Sequence, residues 1–315
     1  MQNQLDRLNN KSKLWLVKVV ASAFVLGFTL WWLPVRDVWQ TLRNTQPGLW
    51  LFTLGVFVIA HCVGATKWWL LTGRHDGGPF TRALRAHFAG LTANLCLPGA
   101  AGGDVVRAGL VLRESRLKSR VAVGSVVDRV LDTLSLLVLS ALGATFALRG
   151  QNWSDNPLVT VVLVCILGGV VVAFGFMLMK FSKKPLIVKL RDTILNFKNE
   201  PGNLALCFGL SLAVQSTFIG LNIALASGSG VHAPIAAWFF AWPLSKLFAM
   251  LPISMGGLGV REASLAALMT GFGAVPARVV AVGLLWQTIL YASGLIGWFV
   301  LFMSAKLRLF PVENS

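Results

Sequence analysis

The chain has 315 residues, of which 56% are hydrophobic and only 13% are charged. Soluble domains carry about 25% charged residues, so the composition excludes an ordinary soluble protein. The net charge of +16 has the sign that nucleic acid would need, but the basic residues cluster in alternate connections between apolar blocks. That distribution is typical of membrane topology and argues against a nucleic-acid partner.

Six apolar blocks follow one another, each near or above the ~20 residues that span a bilayer as a helix. They cover residues 14–33, 49–71, 121–148, 158–179, 204–226 and 279–303. The first block is too long for a signal peptide and contains Lys18, so we interpret it as a retained span. The pattern predicts one all-α membrane domain over 1–315, a polytopic bundle of about six to eight transmembrane helices.

The basic clusters indicate the orientation of the chain. Clusters at 7–18, 74–85, 107–120, 180–198 and 306–308 alternate with connections that hold few or no basic residues. By the positive-inside rule, both termini are predicted to be cytoplasmic. The same clusters are also suited to contact with anionic lipid at the inner leaflet.

Two apolar stretches, 80–112 and 234–272, contain proline, clustered glycine and charge, which interrupt helices. Broken backbone persists at membrane depth only where protein or a wet cavity satisfies it. The stretches are therefore predicted to be re-entrant helical hairpins, with kinked full spans as the alternative.

One motif occurs in both stretches. Residues 97–107 and 251–261 share L-P-x3-G-G-x2-V-R without a gap, at an offset of 154 residues. Three predicted spans separate the copies, and this odd number inverts the second copy relative to the first. The pattern predicts inverted repeat halves over 14–148 and 158–303, with a substrate site at their interface. We therefore expect Arg107 and Arg261 to face one groove.

The motif has the chemistry of an anion site. A helix restarting after Gly102–Gly103 or Gly256–Gly257 directs backbone N–H groups and a positive dipole end at the break. Arg107 and Arg261 follow within about a turn and add a planar donor fork. The structural alternative is ion pairing, for which Asp104 and Arg107 are correctly spaced. Arg261 and Glu262 are adjacent, so we expect them to diverge and to need separate partners.

Asp128 and Asp132 form a second cluster with Arg129 on the span that starts near residue 121. The two aspartates share a helix face, from which Arg129 is turned aside. Three ionisable residues at membrane depth predict a wet cavity or an ion-pair network. The alternative places them in solvent at the cytoplasmic interface.

Several isolated polar residues complete the candidates. Lys246 is a further charge in an apolar setting and is predicted to contact substrate, whereas Lys67 is predicted to snorkel towards a membrane surface. His61 and His87 stand alone in the sequence and are interpreted as polar packing. Asn94 and Gln215 are predicted to satisfy backbone groups that the breaks release.

Three segments together resemble one known family over essentially the whole chain. L-P-G-x2-G-G-D-x2-R, the following D-R-x2-D, and the later P-x-S-x-G-G-L-G-V-R-E are similar to the lysylphosphatidylglycerol synthase transmembrane region, or flippase-like domain, family. The resemblance implies lipid movement between leaflets of a bacterial inner membrane. We expect a stand-alone member without the synthase domain. The positions that match the family's are Gly102, Gly103, Asp104, Arg107, Asp128, Arg129, Gly256, Gly257, Arg261 and Glu262.

These features favour a flippase for an anionic or aminoacylated phospholipid or a polyprenyl-phosphate-linked lipid. The alternatives are an intramembrane lipid-modifying enzyme and a non-transporting accessory protein of cell-envelope glycosyltransferases. No catalytic motif is recognisable, so we expect neither enzymatic activity nor a cofactor or bound metal. Membrane lipid is the expected partner, and the oligomeric state is left open.

Overall fold

The computed structural model describes residues 35–74, 78–96, 102–115, 117–147, 199–250 and 257–306. Within these ranges the regular structure is entirely helical, with nine helices. In chain order they are α1 (Val35–Asn44), α2 (Pro47–Thr72), α3 (Phe80–Cys96), α4 (Gly102–Glu114), α5 (Lys118–Ala147), α6 (Pro201–Gly228), α7 (Ile235–Ala249), α8 (Val260–Thr270) and α9 (Pro276–Lys306).

Four described helices are long and apolar enough to cross a membrane, namely α2, α5, α6 and the part of α9 up to Met303. They confirm the predicted spans at 49–71, 121–148, 204–226 and 279–303. The predicted spans at 14–33 and 158–179 lie outside the described residues. Helices α2 and α6 both begin with proline, which fits a first turn because its nitrogen needs no hydrogen-bond acceptor.

Each predicted broken segment contains two short helices that pack against each other. In the first, α3 ends at Cys96 and α4 begins at Gly102. In the second, α7 ends at Ala249 and α8 begins at Val260. The interruptions are therefore confirmed at the motifs, although the motif prolines themselves lie outside the described residues. Whether the pairs re-enter from one side stays a prediction.

Helices α2 and α6 pack side by side and run antiparallel. Near the end of α2, the Leu70 carbonyl accepts a hydrogen bond of 3.4 Å from Asn203 Nδ2, at the start of α6. At the other end, Leu49 packs against Gly228. Between them, Lys67 Nζ lies 2.9 Å from Ser211 Oγ.

A long helix follows each pair of short helices, namely α5 after α3 and α4, and α9 after α7 and α8. Each long helix crosses the first short helix of the other pair. Helix α5 crosses α7 at Gly143, where an added Cβ would lie 2.5 Å from the Phe239 carbonyl carbon. Helix α9 crosses α3 at Gly297, where an added Cβ would lie 2.6 Å from the Phe88 carbonyl oxygen. Gly143 and Gly297 are separated by 154 residues, which is also the offset of the two motifs.

Side-chain hydrogen bonds join the same crossings. Ser140 Oγ donates to the Phe240 carbonyl at 3.1 Å, and Thr92 Oγ1 donates to the Gly294 carbonyl at 3.1 Å. Positions 140 and 294 again differ by 154 residues. The two halves of the chain thus use equivalent positions of their long helices to contact each other.

Aromatic side chains fill the core where α2, α6, α7 and α9 meet. Phe57 stacks on Phe218 with ring centroids 5.0 Å apart, and Trp242 meets Trp286 edge-on at 5.9 Å. Such pairs stabilise the core beyond the area that they bury. The cluster forms one wall beside the polar residues described next, since Phe218 also contacts His61 and Lys246.

Candidate functional site

A cavity of about 130 Å³ lies between α2, α3, α4, α5, α6 and α7. It is set at the middle of the long helices, because Asp132, His61 and Gln215 lie at the midpoints of α5, α2 and α6. Its lining contains four basic and three acidic side chains. These are Lys67, Arg107, Arg129, Lys246, Asp104, Asp128 and Asp132. The structure therefore brings together seven charged side chains, beside His61 and His87, at the centre of apolar helices.

Asp128 forms the centre of an ion-pair network. Arg107 Nη2 lies 2.8 Å from Asp128 Oδ2, while Lys67 Nζ lies 2.9 Å from Asp128 Oδ1. Lys67 Nζ also lies 2.5 Å from Asp132 Oδ1. Asp128 is 2% exposed, so the solvated-interface interpretation is wrong and the ion-pair network is confirmed. The pairing offsets the cost of removing these charges from water.

The prediction that Lys67 snorkels to a membrane surface is wrong. Its side chain points into the protein and is 3% exposed. The reason is the aspartate pair on α5, whose members lie one turn apart on a single helix face and surround the ammonium. Because these partners lie more than sixty residues further along the chain, only the packing of α2 against α5 reveals them.

Asp104 links the start of α4 to both arginines of the cavity. It lies 3.2 Å from Arg107 Nη2, which confirms the pairing predicted from the spacing of three residues. It also forms an ion pair with Arg129 on α5. The Arg129 side chain therefore points away from the helix face that Asp128 and Asp132 share, and it contacts the neighbouring helix α4. The Nε atoms of Arg107 and Arg129 are buried donors without an acceptor among the described residues.

His61 and His87 are not isolated, because they extend the network from Arg107. His87 Nδ1 lies 3.2 Å from Arg107 Nη1, and His61 Nδ1 lies 3.0 Å from His87 Nε2. A guanidinium only donates, so His87 Nδ1 accepts and its proton resides on Nε2. That proton is donated to His61 Nδ1, and we therefore assign both rings as neutral. The sequence contains no local pattern that pairs the two histidines.

The glycine pair of the first motif begins α4 against α3. Gly102 is the first residue of α4, and Gly103 lies against the Gly90 carbonyl. The Gly103 N–H donates to Asn94 Oδ1 at 2.8 Å, as predicted for Asn94. Among the described residues Gln215 contacts a side chain, because its Oε1 accepts from the Lys246 ammonium at 2.8 Å, and its predicted contact with backbone at the breaks stays a prediction.

In the second motif, the arginine pairs with the carboxylate of the residue that follows it, Glu262. Arg261 Nη2 contacts Glu262 Oε1 and also donates to Gln287 Oε1 at 2.9 Å. Glu262 Oε2 accepts from the Gly259 N–H at 2.7 Å. The prediction that Arg261 and Glu262 diverge is therefore wrong. Glu262 is the third residue of α8, and its side chain folds back over the start of the helix, which places it beside Arg261.

The two motif arginines do not share the cavity. Its described lining includes Arg107 but neither Arg261 nor Glu262. Gly257 has a φ of 78° and packs against Ala249 at the end of α7, so this position requires glycine for backbone reasons. Gly256 lies outside the described residues. Glu262 already occupies the position at the start of α8 that an anion was predicted to take.

Lys246 enters the cavity from α7. Its Nζ donates to Gln215 Oε1 at 2.8 Å and lies 5.2 Å and 5.1 Å from the ring centroids of Phe218 and Trp242. These contacts hold the ammonium by an amide dipole and two aromatic faces. No carboxylate among the described residues forms an ion pair with it.

The family model for the lysylphosphatidylglycerol synthase TM region matches residues 15–297, which include every helix that lines the cavity. The chain belongs to this family. A relative in Methanothermobacter thermautotrophicus, described as a UPF0104 membrane protein, is 22% identical over 293 residues, covering 81% of this chain and 83% of the relative. Membership of the lysylphosphatidylglycerol synthase TM region family agrees with the resemblance that the motifs indicated, and this family member is a multi-pass membrane protein.

Proposed function

We propose that this protein moves a lipid with an anionic head group between the leaflets of a bacterial inner membrane. The observation that supports the proposal most is the charged cavity at the midpoints of apolar helices. Ionisable groups at such depth are costly, and they occur where a polar group or ion must cross. The head group would enter the cavity while the acyl or prenyl chains remain in the bilayer.

The two halves would act as an inverted repeat around this cavity. Helices α2 and α6 begin 154 residues apart, pack together and run antiparallel. The reciprocal crossings at Gly143 and Gly297 have the same offset. Rocking of one half against the other would expose the cavity to each leaflet in turn, with both chain termini on the cytoplasmic side.

We propose transport and not lipid modification because of how the carboxylates are used. Each of Asp104, Asp128 and Asp132 already contacts a lysine or an arginine of the cavity. A divalent cation that activates a lipid phosphate needs carboxylates that are free to bind it. The arrangement instead supports a fixed polar surface over which a head group passes.

The test is lipid exchange in proteoliposomes that contain fluorescent phosphatidylglycerol, with loss of outer-leaflet fluorescence as the measurement. We expect exchange faster than in protein-free vesicles, and slower exchange for Arg107→Gln. Arg278→Gln is the matched control, because Arg278 is exposed and does not line the cavity. The proposal fails if the wild-type protein accelerates exchange of none of phosphatidylglycerol, cardiolipin and polyprenyl phosphate.

A further inference from the structure

The charges of the cavity do not balance within the described residues. Four cations face three carboxylates once both histidines are neutral. Lys67, Arg107 and Arg129 each contact at least one aspartate. The remaining cation is Lys246, which has no carboxylate partner among the described residues.

Lys246 has N–H donors that its described hydrogen bonds do not use. An ammonium has three N–H donors, and the described hydrogen bonds of Lys246 occupy one of them. The faces of Phe218 and Trp242 restrict its position without neutralising its charge. A charge placed among apolar groups without a counter-ion is unfavourable, so an anionic ligand would gain affinity by pairing with it. The unpaired Nε donors of Arg107 and Arg129 also require an acceptor.

We propose that Lys246 binds the phosphate of a phosphodiester head group that carries one net negative charge. This inference rests on the proposed function and names its substrate class. One excess cation matches a phosphodiester, whereas a phosphomonoester carries about −1.5 to −2 charges at pH 7. The volume of about 130 Å³ is close to that of an engineered cavity which binds benzene, about 150 Å³. A phosphate group fits that space, and the lipid chains extend outside it.

Arg107 then has a positioning role. Its guanidinium is already paired with Asp104 and Asp128 and extends over the Trp68 ring, 4.8 Å from the ring centroid. It holds α3, α4 and α5 together around the ligand, whereas the charge that selects the ligand is that of Lys246. This assignment separates two roles that the sequence motif attributes to arginine alone.

The experiment is native mass spectrometry of purified protein with defined lipids. The lipids are phosphatidylglycerol, phosphatidic acid, phosphatidylcholine and diacylglycerol, so that a phosphodiester of net charge −1 is compared with a phosphomonoester, a zwitterion and a neutral lipid. We expect phosphatidylglycerol to bind tightest. Lys246→Gln is expected to weaken that binding at least tenfold, while Lys246→Arg retains most of it. Arg278→Gln is the control for loss of an exposed charge and is expected to bind as the wild type does.

Thermal unfolding without added lipid gives a second, independent measurement. Lys246→Gln removes an uncompensated charge, so its Tm is expected to equal or exceed that of the wild type. The stabilisation that added phosphatidylglycerol gives the wild type is expected to be lost. A lower Tm for Lys246→Gln, or unchanged phosphatidylglycerol binding, overturns the inference, as does equal binding of diacylglycerol by the wild type.

The outcomes separate this inference from the transport proposal. Lys246-dependent binding without lipid exchange in proteoliposomes would overturn transport and leave the binding site in place. Lipid exchange together with normal binding by Lys246→Gln would overturn the role of Lys246 and leave transport in place. Inorganic phosphate serves as a competitor, because displacement of phosphatidylglycerol at equal concentrations would show a site for free anions, which overturns the lipid assignment of Lys246, whereas transport is decided by the exchange measurement.

Discussion

At the residue scale, the two lysines that line the cavity, buried Lys67 and half-buried Lys246, have opposite relations to their surroundings. Lys67 is surrounded by Asp128 and Asp132, whereas Lys246 faces an amide oxygen and two aromatic rings. The first arrangement stabilises the fold, because each charge compensates another. The second arrangement leaves the positive charge of Lys246 able to pair with an anionic ligand. Stability measurements on the two positions therefore distinguish a structural lysine from a binding one.

We predict that Lys67→Met destabilises the protein by about 3–5 kcal/mol, because it leaves Asp132 without an ion-pair partner among the described residues and leaves Asp128 paired with Arg107 alone. The measurement is thermal or denaturant-induced unfolding in detergent. Lys246→Met is the matched control, since it removes a lysine of the same length without orphaning a carboxylate. Adding Asp132→Asn to Lys67→Met is expected to recover part of the loss. An unchanged unfolding midpoint for Lys67→Met would contradict the ion-pair assignment.

At the element scale, glycine permits the two reciprocal crossings. The long helices α5 and α9 approach the backbones of α7 and α3 so closely that no Cβ fits at Gly143 or Gly297. A close approach of backbones is a common basis of helix association in membranes, where apolar burial provides little driving force between helices. The crossings are also the contacts across which the halves would have to move during transport.

We predict that Gly143→Ala and Gly297→Ala each destabilise the protein by about 1–3 kcal/mol through overpacking. Because the two crossings are equivalent, we expect losses of similar size, measured as shifts of the unfolding midpoint. Gly209→Ala on α6 is the control, since nothing lies within 4 Å of an added Cβ there. It should leave the midpoint unchanged or raise it. Equal effects at all three positions would contradict the close-crossing explanation.

At the scale of the whole molecule, Arg120 connects both halves. Its Nη1 and Nη2 lie 2.8 and 2.9 Å from the two oxygens of Glu200, at the start of α6, and its Nε donates to the Leu71 carbonyl, near the end of α2. A bidentate pair of this kind fixes geometry as well as adding energy. It joins the ends of α2, α5 and α6 on one side of the bundle, so the cavity-lining parts of these helices stay in register.

We predict that Arg120→Met and Glu200→Gln have non-additive effects on unfolding. The double variant is expected to lose little more than Arg120→Met alone, with a coupling of about 0.5–3 kcal/mol. The pair Arg278→Gln and Glu200→Gln is the control, because no described contact joins those residues and their effects should add. Additivity of the Arg120 and Glu200 effects would show that the pair does not couple the halves.

The surroundings of the two motif arginines differ because of residues outside the shared L-P-x3-G-G-x2-V-R positions. Both copies have glycines before an arginine, but the arginine of the second is followed by Glu262, whose carboxylate caps α8 and pairs with Arg261. In the first copy Val105 and Val106 separate Asp104 from Arg107, and the arginine reaches Asp128 across to α5. Equivalent helices therefore have unequal sites, and of the described motif residues those that line the cavity belong to the first copy.

The sequence by itself determined the membrane class, the described spans, the breaks at the two motifs and their offset of 154 residues. These depend on hydropathy, helix-breaking residues and repetition, which are local or directly comparable along the chain. Only the tertiary structure decided that Lys67 is buried and that His61 and His87 contact each other. It also decided that Glu262 caps the start of α8 at the second motif, and that Lys246 lacks a carboxylate partner among the described residues. Those facts depend on which helix faces meet, because an ion pair within a membrane is set by side chains that approach each other from distant parts of the chain.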